Sequence, residues 1–113
     1  MAPDLSRYSR PPGEEPRYVL GATRTLIAER AYQFSLYAVD VVASDGSSGR
    51  HVLAVPVAIG AVSITVGLVL TDEDSRSAEA GDLAGIASLA RAVQGGYRHF
   101  RTFPANDLGR FVL

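Results

Sequence analysis

Residues 51–71, with the sequence HVLAVPVAIGAVSITVGLVLT, carry no formal charge, and three acidic residues follow them directly. The nineteen residues 52–70 are long enough to cross a membrane as a helix. Nine of these nineteen residues are Val, Ile or Thr, which favour strands, and Pro56, Gly60 and Gly67 interrupt a helix. We therefore favour a pair of strands, and a membrane helix stays open as an alternative.

The second half of this stretch alternates in the way that a strand with one buried face does. Between residues 62 and 70, large apolar side chains at even positions alternate with Ser63, Thr65 and Gly67. Gly60-Ala61 has the composition of a two-residue hairpin turn with glycine at the first central position. The sequence therefore predicts strands at 51–59 and 62–71, joined by a tight turn.

One face of this predicted hairpin has an unusual composition. A solvated sheet face normally carries charged residues, whereas this face carries only small or uncharged ones. Because burial of apolar surface contributes about 25 cal/mol per Å², we expect the face to be covered by a second copy, another partner or a small apolar ligand. The candidate interface residues are Ala54, Pro56, Ala58, Ser63, Thr65 and Gly67.

Residues 22–46 admit two interpretations. At 100° per residue, apolar side chains gather on one helical face, whereas period 2 would place Asp40 on the same face as Phe34 and Leu36. The β-branched and aromatic content of the segment, however, is typical of strands. We predict a helix, with a β-hairpin arm as the alternative. The predicted helical stripe consists of Ile27, Ala31, Phe34, Ala38 and Val42.

Residues 74–96 have the clearest helical pattern in the chain. Ser75 or Ser77 can cap the start of this helix, and Gly95-Gly96 can end it. Short apolar runs at 17–21 and 97–103 are predicted as the first and last strands. The apolar stripe of the helix consists of Leu83, Ile86, Ala90 and Val93.

The predicted order of elements is strand, helix, strand, strand, helix, strand. This is the β-α-β-β-α-β order of a ferredoxin-like α+β fold, in which an antiparallel sheet carries two helices on one face. A β-meander followed by one C-terminal helix is the alternative. Residues 1–16 hold four of the six prolines and are predicted to be a flexible arm that can dock on a protein partner, and residues 17–113 form a single domain.

Composition excludes several classes of function. The net charge of −1 gives no electrostatic reason to expect nucleic acid or anionic lipid as a partner. The absence of cysteine excludes disulfides, cysteine-ligated zinc and thiol catalysis. The two histidines, His51 and His99, have no metal-ligand spacing, so neither a metal nor another cofactor is predicted. The N-terminus has no signal-peptide pattern, and we expect the cytoplasm.

The strongest cluster of basic and aromatic residues is Tyr97-Arg98-His99-Phe100-Arg101. In a strand, alternation would place Tyr97, His99 and Arg101 on one face, where they could bind a carboxylate or phosphate group. The candidate ligand-binding residues are therefore Tyr97, Arg98, His99 and Arg101. A competing interpretation is an edge strand that its charges protect from unwanted pairing.

The leading functional hypothesis is a small non-catalytic interaction or assembly module that forms a homo-oligomer, a dimer or higher, through the uncharged sheet face. One alternative is a cofactor-free enzyme or small-molecule-binding domain with a pocket near His99. Another is a protein that associates with a membrane through residues 52–70. The usual serine-nucleophile motifs do not occur in the sequence. The sequence alone does not decide whether the protein is an enzyme of another kind.

Overall fold

The computed structural model describes residues 5–10 and 17–105. Within them, antiparallel strands form one sheet, and two α-helices follow the fifth strand, which confirms the predicted α+β class. The helices are α1 (Asp72–Glu79) and α2 (Ala84–Gly96). Short 3-10 helices lie at Leu5–Tyr8 and Tyr97–His99. The strands are β1 (Tyr18–Leu20), β2 (Thr25–Arg30), β3 (Phe34–Ala43), β4 (Ser48–Ile59), β5 (Val62–Val69) and β6 (Phe103–Pro104).

The uncharged stretch forms the predicted hairpin. Strands β4 and β5 pair in continuous antiparallel register from Val52 with Val69 to Ile59 with Val62. Gly60 turns the chain with a φ of +61°, a conformation that glycine adopts without strain. None of the described helices is both long enough and apolar enough to cross a membrane.

The predicted helix over residues 22–46 is wrong, and the alternative of a β-hairpin is correct. Residues 25–30 and 34–43 form β2 and β3, which pair with each other across a turn in which Tyr32 has a φ of +64°. Strand β3 is buried on both faces, with Phe34 and Leu36 on one side and Tyr37 and Val39 on the other. Burial on both faces produces a nearly continuous apolar run, in which strand alternation is hard to recognise.

The described residues therefore do not have the ferredoxin-like β-α-β-β-α-β order. Both helices follow a meander of strands, as in the alternative that we considered, although that alternative had only one helix. The predicted helix over 74–96 is interrupted at Gly81, whose φ of +82° ends the first segment. Thr71 caps α1 by accepting a hydrogen bond from the Asp74 amide at 3.3 Å, in place of Ser75 or Ser77.

The predicted strand over 97–103 is also wrong for most of its length. Residues 97–99 form a 3-10 turn directly after α2, and only Phe103–Pro104 pair with β5. Tyr97, His99 and Arg101 consequently do not share one face of a strand. Tyr97 and His99 line one groove, and Arg101 lies apart from them.

The sheet separates two apolar cores. On its convex side, Leu53 and Val55 of β4 and Leu68 of β5 pack against Leu89 and Val93 of α2. Ala78 of α1 joins the same core, whereas one of the two helices predicted to cover a sheet face, at 22–46, is a β-hairpin. The other core lies on the concave side and contains no described helical residue. Its buried members are Tyr37, Val39, Val41, Val52, Ala54 and Ala105.

The concave core is enclosed because the sheet curls into a nearly closed cylinder. The strand order is β1-β3-β4-β5-β6, with β2 pairing with the other part of β3. The side chains of the two end strands meet, and the ring centroids of Tyr18 in β1 and Phe103 in β6 lie 5.0 Å apart. The chain thus covers much of its own concave sheet face.

Residues 5–10 pack along the segment that follows the 3-10 turn at 97–99. The Arg101 amide donates to the Tyr8 carbonyl at 2.8 Å, and the Arg10 amide donates to the His99 carbonyl at 2.9 Å. The side chain of Tyr8 is 2% exposed and joins the convex core. Residues 1–4 and 11–16 of the predicted flexible arm lie outside the described residues, and for them the arm stays a prediction.

Candidate functional site

The predicted interface face is divided between covered and accessible residues. Ala54 and Gly67 are buried, Pro56 and Thr65 are half-buried, and Ala58 and Ser63 are exposed. The buried pair is covered by the chain itself: a Cβ atom built at Gly67 would lie 2.6 Å from Cζ of Phe103. Ala54 and Gly67 are therefore not available to a partner while the concave core is intact.

Apolar side chains are exposed where the two hairpins turn. Val62 is 62% exposed and pairs with Ile59, which is also exposed, and Tyr32 at the β2–β3 turn is 93% exposed. The side chain of Gln94 in α2 donates to the Tyr32 carbonyl at 2.9 Å and to the Pro56 carbonyl at 3.1 Å. These bonds tie the β2–β3 turn to α2 and to the neighbouring part of β4. We call Tyr32 and residues 56–65 the hairpin end.

The outer edge of β5 is only partly paired among the described residues. Strand β6 pairs with Val66 and Gly67, and the Ala105 amide donates to the Thr65 carbonyl at 3.0 Å. Within the described part of the chain, residues 62–64 pair only with β4. Such an edge can accept another strand through its backbone groups.

Tyr97, Arg98 and His99, three of the four predicted ligand-binding residues, line a groove of about 260 Å³ beside the hairpin end. The groove includes Ala58 and the C-terminal residues of α2. Arg98 Nε donates to the Tyr97 hydroxyl at 3.2 Å, and its guanidinium carbon lies 5.6 Å from the centroid of the Tyr97 ring. This intramolecular stacking leaves the guanidinium less suited to a bidentate ligand contact.

The fourth predicted residue, Arg101, lies in a separate cavity of about 190 Å³, which Tyr97, Arg98 and His99 do not line. The cavity lies between the N-terminal segment, β1 and the end of β5 that leads into α1. Arg7 and Tyr8 also line it. The prediction grouped Arg101 with His99 because it assumed strand alternation, and the 3-10 turn separates them.

Tyr8, Thr71 and Asp74 form a hydrogen-bonded cluster at the start of α1 that the sequence analysis missed. The Tyr8 hydroxyl donates to Asp74 Oδ2, lies 3.2 Å from Thr71 Oγ1, and accepts from the Thr71 amide at 3.0 Å. Burial raises the pKa of Tyr8 above its ordinary value, and the hydrogen bond to Asp74 adds to this effect. Tyr8 is therefore a neutral anchor, held between the convex core and the first turn of α1.

His51, the other histidine, lies in β4 where α1 packs against that strand, and it is buried. Among the described residues, its Nδ1 atom has no hydrogen-bond partner, and neither does the buried hydroxyl of Ser75. On the surface of the same region Arg50 and Glu79 form an ion pair of 3.4 Å. Burial lowers the pKa of His51 below its ordinary value of 6.5, with the Glu79 charge opposing this shift and the Arg50 charge supporting it.

This environment predicts that the protein loses stability as the pH falls below about 6.5. The unfolded chain takes up a proton on His51 in that range while the folded protein keeps His51 neutral, so the free energy of unfolding falls by at most about 1.4 kcal/mol per pH unit. Urea unfolding at about pH 7.5 and about pH 5.5 measures the effect. His51→Gln should flatten this dependence, whereas His99→Gln, at an exposed position, should retain it. Equal slopes in both variants would contradict the assignment.

No group of three or more described His, Asp or Glu residues is arranged to hold a metal ion. Comparison of the chain with protein-family models, with curated proteins and with solved structures finds no match.

Proposed function

We propose that this protein is a small interaction module that self-associates through the hairpin end. The observation that carries the proposal is the coincidence of exposed apolar side chains with a strand edge that is open among the described residues. Residues 56–65 carry no charged side chain, and Val62 is 62% exposed on that edge. An apolar surface beside unpaired backbone groups is a surface that a second strand can cover.

The surroundings of this surface resemble a protein interface in composition. Glu29 and Arg30 end β2 next to Tyr32, and Arg98 lies in the groove beside Ala58, so charged residues border an uncharged centre. Interfaces commonly have an apolar centre with a polar rim, and Tyr and Arg are enriched in them. This arrangement supports protein association better than binding of a small ligand.

The simplest assembly pairs two copies of β5 in antiparallel register about a two-fold axis at Ser63. Val62 of one copy then faces Ile64 of the other, and the two sheets become continuous. The accessible candidate interface residues Ala58 and Ser63 lie beside this axis, with Pro56 and Thr65 further along the same face. The groove at Tyr97 to His99 borders the same surface, and ligand binding near His99 is kept as the alternative proposal.

The test is to compare two exposed valines. Val62→Asp would bury an unpaired carboxylate at the proposed interface and should weaken self-association at least about a hundredfold. Val19→Asp is the matched control, because Val19 is 71% exposed on β1, away from the hairpin end. Sedimentation velocity from low to high micromolar concentration gives the oligomeric state. A monomeric wild type at the highest concentration, or dissociation by Val19→Asp alone, would rule out the proposal.

A further inference from the structure

A second groove, which we call the β5 groove, borders the open edge of β5 on the convex side of the sheet. Ile64 belongs both to this edge and to the wall of the groove, and Tyr97 and Pro104 line the groove as well. Ile64 and Tyr97 also pack against the convex core. The charged residue among the described lining residues is Arg10, whose Nε donates to the Phe100 carbonyl at 3.3 Å. The β5 groove is therefore better suited to an apolar side chain than to a charged one.

Ser63 presents its backbone groups to the open edge. The Leu70 amide, directly after β5, donates to the His51 carbonyl at 3.1 Å, so alternation directs the backbone groups of even-numbered residues toward β4. The Ala105 amide donates to the Thr65 carbonyl at 3.0 Å, as expected if odd-numbered residues face the other way. Within the described residues, β6 and Ala105 reach only as far as Thr65. The amide and carbonyl of Ser63 consequently have no described strand partner on this edge.

The length of the open edge matches a second copy of the same edge. The edge spans residues 62–64, between the turn at Gly60-Ala61 and the point where Ala105 bonds to Thr65. Antiparallel pairing about a two-fold axis at Ser63 uses these three residues of both copies, and each chain turns away before it meets Ala105 of the other. An edge that is complementary to itself in length and direction, and that carries no charge, favours a second copy over an unrelated chain.

We propose that the β5 groove receives the side chain of Val62 from a second copy, an assignment that rests on the proposed self-association. With Ser63 facing Ser63, Val62 of one copy lies directly opposite Ile64 of the other, and opposed side chains point to the same face. Ile64 lies on the face that carries the groove, so Val62 enters the groove beside Tyr97 and Pro104. Each copy thus supplies one valine and one groove, and the contact occurs twice about the axis.

Opposite charges at positions 62 and 64 test this register. Val62→Asp places two unpaired carboxylates in a homodimer and Ile64→Lys places two unpaired ammonium groups there, so each variant alone should associate at least about a hundredfold more weakly than the wild type. In an equimolar mixture of the two full-length variants, the introduced carboxylate faces the introduced ammonium group. The heterodimer should therefore form at least about tenfold more tightly than either homodimer. Native mass spectrometry separates the three species, and sedimentation velocity gives their affinities.

Ile59→Lys is the matched control, because it adds the same charge at the hairpin end. Ile59 pairs with Val62 of its own chain and so lies one strand further from the other copy. A mixture of Val62→Asp with Ile59→Lys should therefore gain no affinity. Equal recovery in this mixture, or no recovery with folded Ile64→Lys, would contradict the register.

Cysteine variants test the same register without a charge in the sheet. The chain contains no cysteine, and opposed residues that are not hydrogen-bonded have Cα atoms about 4.5 Å apart, within the range of a disulfide. Under mild oxidation, a mixture of Val62→Cys and Ile64→Cys should form covalent heterodimers. Val62→Cys alone should form few, because its two copies lie diagonally, about 7–8 Å apart. Equal yields would overturn the register.

Two variants of the 3-10 turn test the groove itself. Tyr97→Ala removes apolar wall that Val62 contacts and should weaken self-association about tenfold. His99→Ala, at an exposed position outside the β5 groove, is the matched control and should associate as the wild type does. Urea unfolding of the monomers separates a loss of affinity from a loss of stability. If Tyr97→Ala associated as tightly as the wild type, the groove would not hold Val62.

The behaviour of the wild type separates failure of this inference from failure of the proposed function. If the wild type stays monomeric at the highest concentration, both are wrong, and the edge belongs to a different partner. If the wild type self-associates and Val62→Asp dissociates it, but neither the charged nor the cysteine mixture pairs, self-association stands. The register and the role of the β5 groove are then wrong.

Discussion

Replacement of Tyr8 by alanine is expected to lower the free energy of unfolding by about 3–5 kcal/mol, as removal of a buried aromatic ring usually does. The side chain is 2% exposed and packs in the convex core, and its hydroxyl contacts Thr71 and Asp74. A domain of this size is commonly stable by only about 5–15 kcal/mol, so the loss is a large share of the total. Equilibrium urea unfolding, followed by circular dichroism, measures it.

Two further variants divide this effect into its causes. Tyr8→Phe keeps the ring but leaves the Thr71 amide and the Asp74 carboxylate without the phenol, which should cost about 1–3 kcal/mol. Tyr32→Ala removes a tyrosine that is 93% exposed and should change stability by less than about 0.5 kcal/mol. If Tyr8→Ala were as mild as Tyr32→Ala, the N-terminal segment would not be part of the folded core.

The sequence was sufficient to predict the β4–β5 hairpin because its signals are local. Alternation over residues 62–70 and the glycine at position 60 act within one hairpin, and the register from Val52 to Val69 follows from them. Local pattern and tertiary structure agree here, because the convex core covers the face that carries Leu53 and Val55, while Ile59 and Val62 of the same face are exposed at the hairpin end.

The predicted helix over residues 22–46 was wrong because the burial of each side chain depends on the whole fold. Ile27, Ala31 and Val42 of the predicted helical stripe are exposed in the hairpin, and Phe34 is buried. The stripe thus arose by coincidence across two strands, of which only β3 is covered on both sides. Neither the curl of the sheet nor its closure by Tyr18 and Phe103 has a local signature in the sequence.

The cluster of Tyr8, Thr71 and Asp74 could not be assembled from the sequence for a similar reason. Tyr8 and Asp74 are 66 positions apart, and their contact depends on how the N-terminal segment packs beside residue 100. The spacing of Thr71 and Asp74 did contain a capping signal, which the analysis assigned to the serines that follow. Arg101 was selected as a binding residue, but its surroundings follow only from the 3-10 turn.

Replacement by a charged residue should have different effects at two alanines on the same face of β4. Ala54 is 5% exposed within the concave core and pairs with Gly67, which lies beneath the Phe103 ring. Ala58 is exposed at the hairpin end. The sequence analysis placed both in one interface, whereas the curled sheet separates an internal residue from an accessible one.

Ala54→Glu is therefore expected to destabilise the fold by about 3–5 kcal/mol or more, because a carboxylate without a partner is costly in an apolar interior. Ala58→Glu should change the free energy of unfolding by less than about 0.5 kcal/mol and should weaken self-association instead. Urea unfolding and sedimentation velocity on both variants separate the two effects. If the Ala54→Glu protein were as stable as the wild type and only its oligomer dissociated, the concave face would be open to a partner. All six predicted interface residues could then contact that partner.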